Sequence, residues 1–267
     1  VTPLAQVSGV TTLQAEGHVL AGLSHLRLHN YPVAQDQLQR ALTLTRQDSL
    51  LPLRARALRL MANILMEQGQ VQSAMEYQQQ ALEIARQLGD RRAEGQAYNG
   101  LGSAACRQQN FTAAIGYYEE YLRLSQEIGD RTGAGSACNN LGDAYLKLGQ
   151  ADVARQHFVQ ALEMNHQAGN WRGEVIALAN LGETAVYQGL FDEAAGWHQQ
   201  FLERCLQRGD WNGQCWGHYN LAQVAIRQQD FSTARQELEA AARCLAHSHD
   251  ADIKQRVQQA LADLPPA

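Results

Sequence analysis

The sequence repeats itself at a fixed interval of forty residues. The clearest copy runs from Gly129 to Gly149, and altered copies start in the same register at Gly89, Gly169 and Gly209. A period of this size is typical of stacked helical hairpins, in which each unit buries its apolar side against its neighbours. We therefore predict an all-α fold, a right-handed superhelical solenoid of hairpins, rather than one globular core.

Apolar residues at helical spacing divide the chain into six predicted hairpins. The predicted units are 12–49, 50–89, 90–129, 130–169, 170–209 and 210–250. Pro3 and Gly9 disfavour a long helix, so residues 1–11 are predicted to form a separate N-terminal segment. Residues 251–264 are predicted to form a capping helix with a polar outer face, as an exposed solenoid end requires, and residues 265–267 a tail.

Small residues recur at the same position in the first of the two helices of every predicted hairpin. They are Gly22, Ala62, Gly102, Gly142, Gly182 and Ala222. Two helices approach closely only where side chains are absent or tiny, so these positions predict the contact between the two helices of each hairpin. A large apolar residue precedes most of them, and it should fill the same seam.

This pattern resembles the tetratricopeptide repeat family over about residues 12–246. The match is carried by the pairs Leu101-Gly102, Leu141-Gly142 and Leu181-Gly182, by an alanine column, and by the aromatic residues Phe111, Tyr118, Phe158 and Phe191. The period exceeds the common length of about 34 residues, and Gly-Asp or Gly-Asn replaces the usual proline. The chain is therefore most similar to the Leu-Gly-Asn (Pins-type) scaffolds and more distantly to kinesin light chain. This resemblance implies a scaffold that holds extended peptides with asparagines at matching positions.

Polar residues of the first helices are the main candidates for function, because first helices line the inner wall in this geometry. Asn140, Asn180 and Asn220 recur at one phase, and Asn99 and Asn139 stand one position earlier. Each carboxamide offers a donor and an acceptor, so a column of them suits the backbone of an extended peptide. The alternative is that these side chains bond locally or face water. We favour peptide binding, because asparagine is a mediocre helix former.

A second column is basic and lies further along the same helices. Arg107, Lys147 and Arg227 should edge the same groove and favour an acidic peptide. Cations near a helix C-terminus also simply complement the helix dipole, so both interpretations stay open. Arg56 and Arg59 extend positive potential towards the N-terminal end. Trp216 and Tyr219 share the inner phase of the last unit and are expected to anchor an apolar side chain.

Several other classes of protein are disfavoured. The net charge of -5 argues against a general nucleic-acid or membrane-surface binder. Five cysteines without paired spacing favour reduced thiols and a cytoplasmic setting. The segment from His247 to Asp250 contains adjacent metal donors but no distant fourth ligand, so we expect no metal there. No catalytic motif or cofactor signature stands out, and we expect no enzyme activity. Since Val1 is not a methionine, we expect the chain to be part of a longer protein.

We therefore predict a non-enzymatic scaffold that binds an extended, acidic segment of another protein, without nucleic acid or membrane insertion. Two alternatives stay open. One is a peptide- or effector-sensing regulatory domain of a bacterial signalling or transcription protein. The other is an autoinhibitory or self-assembly module whose groove is filled in cis.

Overall fold

The protein consists of helices throughout the part that the structure describes. The computed structural model describes residues 3–46, 48–248 and 250–265. Within these ranges there is no strand, and a short 3-10 helix (Asp48–Leu50) precedes the third α-helix. The α-helices are α1 (Pro3–Arg27), α2 (Tyr31–Leu44), α3 (Leu51–Glu67), α4 (Val71–Leu88), α5 (Arg91–Arg107), α6 (Phe111–Glu127), α7 (Arg131–Lys147), α8 (Ala151–Gln167), α9 (Trp171–Tyr187), α10 (Phe191–Arg208), α11 (Trp211–Arg227), α12 (Phe231–Cys244) and α13 (Ala251–Asp263). The predicted all-α helical repeat solenoid is confirmed.

The first helix begins earlier than the sequence indicates. Residues 1–11 were expected to lie outside the helical array, yet α1 starts at Pro3 and continues to Arg27. Proline is tolerated in a first helical turn, where its missing N–H has no intrahelical partner to lose. A single glycine costs only about 1 kcal/mol, which a helix of this length absorbs. The expectation of a separate segment was therefore wrong, although residues 1 and 2 lie outside the described part.

Polar caps start many of the helices at one phase of the repeat. Asp90 accepts a hydrogen bond from the backbone N–H of Ala93 at 3.0 Å, and Asp130 accepts one from Gly133 at 2.9 Å. A side-chain oxygen at this position satisfies an N–H group that the helix itself leaves without a partner. The same arrangement starts α9, α11 and α13, at Asn170, Asp210 and Asp250.

The helices form two compact units, Val1–Ala137 and Cys138–Ala267, and the boundary between them falls within the sequence of α7. In the first unit, a buried cluster includes Leu38, Leu58 and Met61, each at most 1% exposed. In the second, Phe158 and Leu181 lie in one buried cluster, while another joins α11, α12 and α13. Each unit therefore has apolar packing of its own that fixes where its first-helix residues lie.

Glycines on the first helices let large side chains of the second helices come close. A Cβ at Gly142 would lie 2.5 Å from Cε1 of Phe158, and one at Gly22 would lie 2.7 Å from Cγ of Leu38. A Cβ at Gly182 would overlap the imidazole of His198. A methyl group at Gly142 or Gly182 would therefore overlap a buried ring in the structure as it stands.

Helix α13 continues the forty-residue register beyond the sixth hairpin. Its cap Asp250 follows Asp210 by one period, and its residues Ile253 and Val257 are fully buried. Gln255 and Gln258, by contrast, are exposed. In the described part of the chain, no helix is long and apolar enough to cross a membrane.

Candidate functional site

Three asparagines of unit 2 form the row that the sequence singles out, here called the asparagine row. Asn140 lies on α7, Asn180 on α9 and Asn220 on α11, and all three side chains are partly exposed. The backbone carbonyl of Asn180 accepts a hydrogen bond from Thr184 Oγ1 at 2.7 Å. The row therefore presents three carboxamides from successive first helices of one compact unit.

Asn139 and Asn99, one position earlier, have different surroundings. Asn139 is only 6% exposed, and its Oδ1 has no hydrogen-bond partner in the described part of the chain. One residue along a helix rotates the side chain by about 100°, which turns Asn139 away from the face of its neighbour Asn140. The expectation that Asn139 faces the groove was therefore wrong. Asn99 is partly exposed and lines a cleft in unit 1.

The predicted basic column is less uniform than its spacing suggests. Arg107, Lys147 and Arg227 are all exposed. Arg107 lies 3.7 Å from the carboxylate of Glu67, so part of its charge is offset on the neighbouring first helix. Lys147 shares α7 with Asp143, whose charge interacts with its own.

Asp143 and Glu183 occupy the same repeat position on the first helices α7 and α9, and they were not among the residues predicted to line the groove. Although the Asp143 residue as a whole is exposed, desolvation of its carboxyl group raises its pKa to about 6, the charge of Glu183 adds to the rise, and Lys147 opposes it. The two acids stand forty residues apart, on α7 and α9, and this spacing of one repeat could have identified them from the sequence. The first-helix surface of unit 2 therefore carries both signs of charge.

Trp216 and Tyr219 do not form the open anchor that was expected. The indole N–H of Trp216 donates to Asp250 at 3.1 Å, and the Arg256 guanidinium lies 5.5 Å from its ring centre. The rings of Trp216 and Tyr219 meet edge to face at 5.9 Å. Helix α13 supplies these partners, so it already covers Trp216. Tyr219 still lines a cleft of about 530 Å³ between α11 and α13, together with Ile226.

Unit 1 contains a cleft of about 540 Å³ on its first-helix side. We call it the carboxamide cleft, after three amide side chains among its polar lining residues, which are His29, Tyr31, Asn63, Glu67, Gln78, Asn99, Ser103 and Arg107. Leu26 and Met66 contribute apolar surface. The cleft thus brings two predicted residues, Asn99 and Arg107, to one place.

Gln78 is the lining residue that sequence reasoning missed. It is 3% exposed, and its Oε1 has no hydrogen-bond partner among the described residues. A signal was present, because the same phase of other second helices carries apolar or aromatic residues: Leu38, Tyr118, Phe158, His198 and Leu238.

A second cleft of unit 1, of about 410 Å³, is lined by Arg56, Arg59 and Arg92 together with Asp90. Burial lowers the pKa of Arg59 and the charge of Arg56 lowers it further, while Asp90 and Tyr121 oppose the shift. Arg92 is paired with Asp130 at 3.1 Å. The positive potential expected from Arg56 and Arg59 is therefore partly balanced by the cap carboxylates of α5 and α7.

Two of the described cysteines, Cys138 and Cys205, lie in surroundings that lower the reactivity of their thiols. Burial raises the pKa of Cys138 to about 11 and that of Cys205 to about 12, so both thiols stay protonated at neutral pH and are poor nucleophiles. In the described ranges, no group of three or more His, Cys, Asp or Glu side chains is arranged to hold a metal ion. His249 of the candidate metal segment lies outside the described residues.

Fold and surface together define a helical repeat scaffold with an accessible polar first-helix face. The sequence model of the tetratricopeptide repeat matches the chain in four overlapping windows, 13–87, 53–127, 93–167 and 133–207. The chain belongs to the tetratricopeptide repeat family. Members of this class are generally non-enzymatic scaffolds for protein interaction. No curated protein sequence matches the chain.

Solved structures with the same fold are distant in sequence. BtubC (BKLC) from P. vanneervenii is 19% identical with a TM-score of 0.65, and the match covers 100% of this chain and 95% of that one. A signal transduction ATPase with a tetratricopeptide repeat sensor from Pyrococcus horikoshii is 17% identical with a TM-score of 0.79, over 94% of this chain and 38% of that one. A Rap protein complexed with Competence and Sporulation Factor is 15% identical with a TM-score of 0.68, over 94% and 75%. At these identities the likeness shows the fold.

Proposed function

We propose that this protein binds an extended segment of a partner protein along the asparagine row of unit 2, and that it acts by binding rather than catalysis. The observation that carries the proposal is the row itself, in which three partly exposed carboxamides recur at one phase of successive first helices. Carboxamides spaced along a rigid surface match the alternating N–H and C=O groups of an extended backbone. The Rap protein solved with Competence and Sporulation Factor supports the use of this fold for binding.

The charge of the bound segment follows from the residues beside the row. Lys147 and Arg227 are exposed at the end of their helices and contact carboxylates of the segment in this proposal. Asp143 and Glu183 limit how acidic the segment is, because like charges repel at short range. Raising the salt concentration should weaken binding if the cations contribute, since exposed charges are screened within about 8 Å at physiological ionic strength.

The test replaces the three row residues together by alanine, Asn140→Ala, Asn180→Ala and Asn220→Ala. A partner is first captured with the wild-type chain, and its bound segment is mapped on a peptide array. Each neutral hydrogen bond contributes about 1 kcal/mol, so the triple variant should lose about 100-fold in affinity for the mapped peptide, measured by calorimetry.

A matched control removes three exposed carboxamides from the second helices of unit 2: Gln156→Ala, Gln200→Ala and Gln236→Ala. This control should keep both the affinity and the melting temperature. Equal affinities for the row variant and the control variant, with both folded, would rule out the asparagine row as the binding surface.

A second candidate function is the sensing of a small effector, and the carboxamide cleft favours it. Its volume of about 540 Å³ lies in the range of ligand pockets, and it contains a buried polar side chain. Detection of a nucleotide-binding or DNA-binding module elsewhere in the gene would favour this candidate. Capture of a protein partner that the row variant fails to bind would favour the scaffold.

A further inference from the structure

The carboxamide cleft of unit 1 holds a polar group that the fold leaves unsatisfied. Gln78 is 3% exposed, and within the described part of the chain its Oε1 accepts no hydrogen bond. Buried polar atoms of native proteins nearly always have partners, so an exception at the edge of a cleft asks for a ligand. The oxygen requires a donor.

Gly100 shows why the Gln78 side chain lies where it does. A Cβ on Gly100 would overlap the Gln78 carboxamide, which therefore occupies the space of the missing side chain. The same phase carries Asn140, Asn180 and Asn220 in the later first helices. Beside α5, the carboxamide at this place thus comes from Gln78 of α4 rather than from position 100.

The other lining groups describe a neutral polar ligand. The charge of Arg107 is offset by Glu67 at 3.7 Å, and His29 Nδ1 and the Tyr31 hydroxyl are hydrogen-bonded to each other at 2.9 Å. The remaining polar side chains beside Gln78 are uncharged: Asn63, Asn99 and Ser103. Leu26 and Met66 offer apolar contact to a short methylene stem. A charged ligand group would meet no uncompensated opposite charge here, and it would lose its hydration.

We infer that the carboxamide cleft binds the side-chain amide of an asparagine or glutamine in a segment of a partner protein, which gives unit 1 a sequence preference of its own. The ligand NH2 group donates to Gln78 Oε1, and its stem packs against Met66. A side chain fits this role better than a main-chain amide, because a side chain can reach into the cleft towards Gln78, which is almost fully enclosed. This inference rests on the proposed function.

The test compares wild type with Gln78→Leu in selections from a phage-displayed library of random peptides. Leucine already stands at this phase in α2 and α12, as Leu38 and Leu238, so the variant should fold and melt several degrees higher. Wild-type selections should enrich Asn or Gln at one fixed position. Changing that residue to Leu should weaken binding about tenfold in wild type and have no effect in Gln78→Leu.

The matched control is Gln79→Leu, which removes an exposed carboxamide from the neighbouring position of α4. It should behave as wild type does. Enriched peptides without an Asn or Gln position, or an equal penalty in wild type and Gln78→Leu, would overturn the inference while leaving the proposed function intact.

A second measurement separates the two claims without any partner. The side-chain amide resonance of Gln78, assigned by its loss in Gln78→Leu, is followed while N-acetyl-glutamine methylamide is added. We expect a saturable shift with this probe and none with N-acetyl-methionine methylamide, which has a side chain of similar length without the side-chain amide. No shift with either probe contradicts the inference. A shift without any enriched peptide supports the cleft and overturns the proposed function.

Discussion

Hairpin α3–α4 of unit 1 and hairpin α7–α8 of unit 2 fill the same repeat position in different ways. In α7–α8, Gly142 leaves room for the ring of Phe158, which is fully buried. In α3–α4, the corresponding first-helix residue is Ala62, and the second helix carries Gln78. The carboxamide of Gln78 lies against Gly100 of the following helix instead. The methyl group of Ala62 on the first helix thus coincides with the replacement of a buried aromatic ring, as at Phe158, by the polar side chain of Gln78 beside a cleft.

Other hairpins follow the same rule. Tyr118 and His198 lie against glycines of their own hairpins, whereas Leu238 stands opposite Ala222. The size of the seam residue therefore limits what its partner helix presents. Where the seam is glycine, an aromatic ring is buried in three hairpins, whereas Gly22 of hairpin α1–α2 lies against Leu38. Where it is alanine, a thinner side chain stands there, and in unit 1 this side chain is polar.

The largest expected effect on stability concerns hairpin α9–α10, because the buried ring at its seam belongs to a histidine. His198 is 2% exposed, and burial lowers its pKa from 6.5 to about 4. The unfolded chain takes up this proton below pH 6.5 and the folded chain only near pH 4. The free energy of unfolding therefore falls as the pH drops through this window, by on the order of 3 kcal/mol.

Replacing His198 by phenylalanine tests this pH dependence, because Phe158 occupies the same phase of α8. Urea unfolding should show that the free energy of unfolding of His198→Phe increases relative to that of wild type as the pH is lowered from 7.5 to 4.5. The value at pH 7.5 serves as the reference for any change in packing. A constant difference between the two proteins at both pH values would show that His198 does not hold its neutral form in the fold.

The next effect concerns the seam rule directly. Gly142→Ala places a methyl group against the Phe158 ring and should destabilise the protein by about 2 kcal/mol, since overpacked cores lose roughly 1–3 kcal/mol. Adding Phe158→Leu recreates the pairing of Ala222 with Leu238. A double-mutant cycle from thermal unfolding should therefore show that Phe158→Leu costs less in the Gly142→Ala background than in wild type. Independent, additive effects would break the rule.

A smaller effect distinguishes the inner surfaces of the two units. Position 143 is acidic in unit 2, while the same phase carries Asn63 and Ser103 in unit 1. The pKa of Asp143 is raised from 3.8 to about 6, so ionisation opposes folding as the pH rises through this range. Asp143→Asn should raise the melting temperature by roughly 2 °C at pH 7.5, since Asp143 is exposed and solvent screens the effect. The gain should shrink at pH 4.5.

Glu183→Gln serves as the companion variant, because the charge of Glu183 contributes to the raised pKa of Asp143. It should lower that pKa, which carboxyl resonances in an NMR titration report directly. An identical pKa of Asp143 in wild type and Glu183→Gln would show that the two carboxylates do not interact.

The smallest effect belongs to the asparagine row. Asn180→Ala should change the free energy of unfolding by less than about 0.5 kcal/mol, because the side chain is partly exposed and alanine is the better helix former. Thermal unfolding measures it beside Gly142→Ala. A loss comparable to that of the seam variant would assign Asn180 to the fold and remove it from the binding surface.

The repeat period and the contact between the two helices of each hairpin could be predicted from the sequence because both features recur in successive repeats. Gly102, Gly142 and Gly182 recur at one phase, and a helical repeat fold follows from that recurrence. Residues that depart from the repeat could not be predicted in this way, because no other repeat has an equivalent feature for comparison. The burial of Asn139 and the covering of Trp216 by α13 depend on local rotation and on a helix outside the six hairpins. Gln78 was visible as an exception, but only the structure shows that its oxygen lacks a partner among the described residues.

Helix α13 separates two properties that go together in the earlier first helices, the register of the repeat and the apolar face. Its cap Asp250 and its residues Leu261 and Ala262 stand in register with the caps, seam leucines and small residues of earlier first helices. The exposed Gln258, in contrast, takes the phase at which α9 buries Leu178. The register therefore sets where a helix of this array lies, while the residues on its outer face set whether water or protein can cover it.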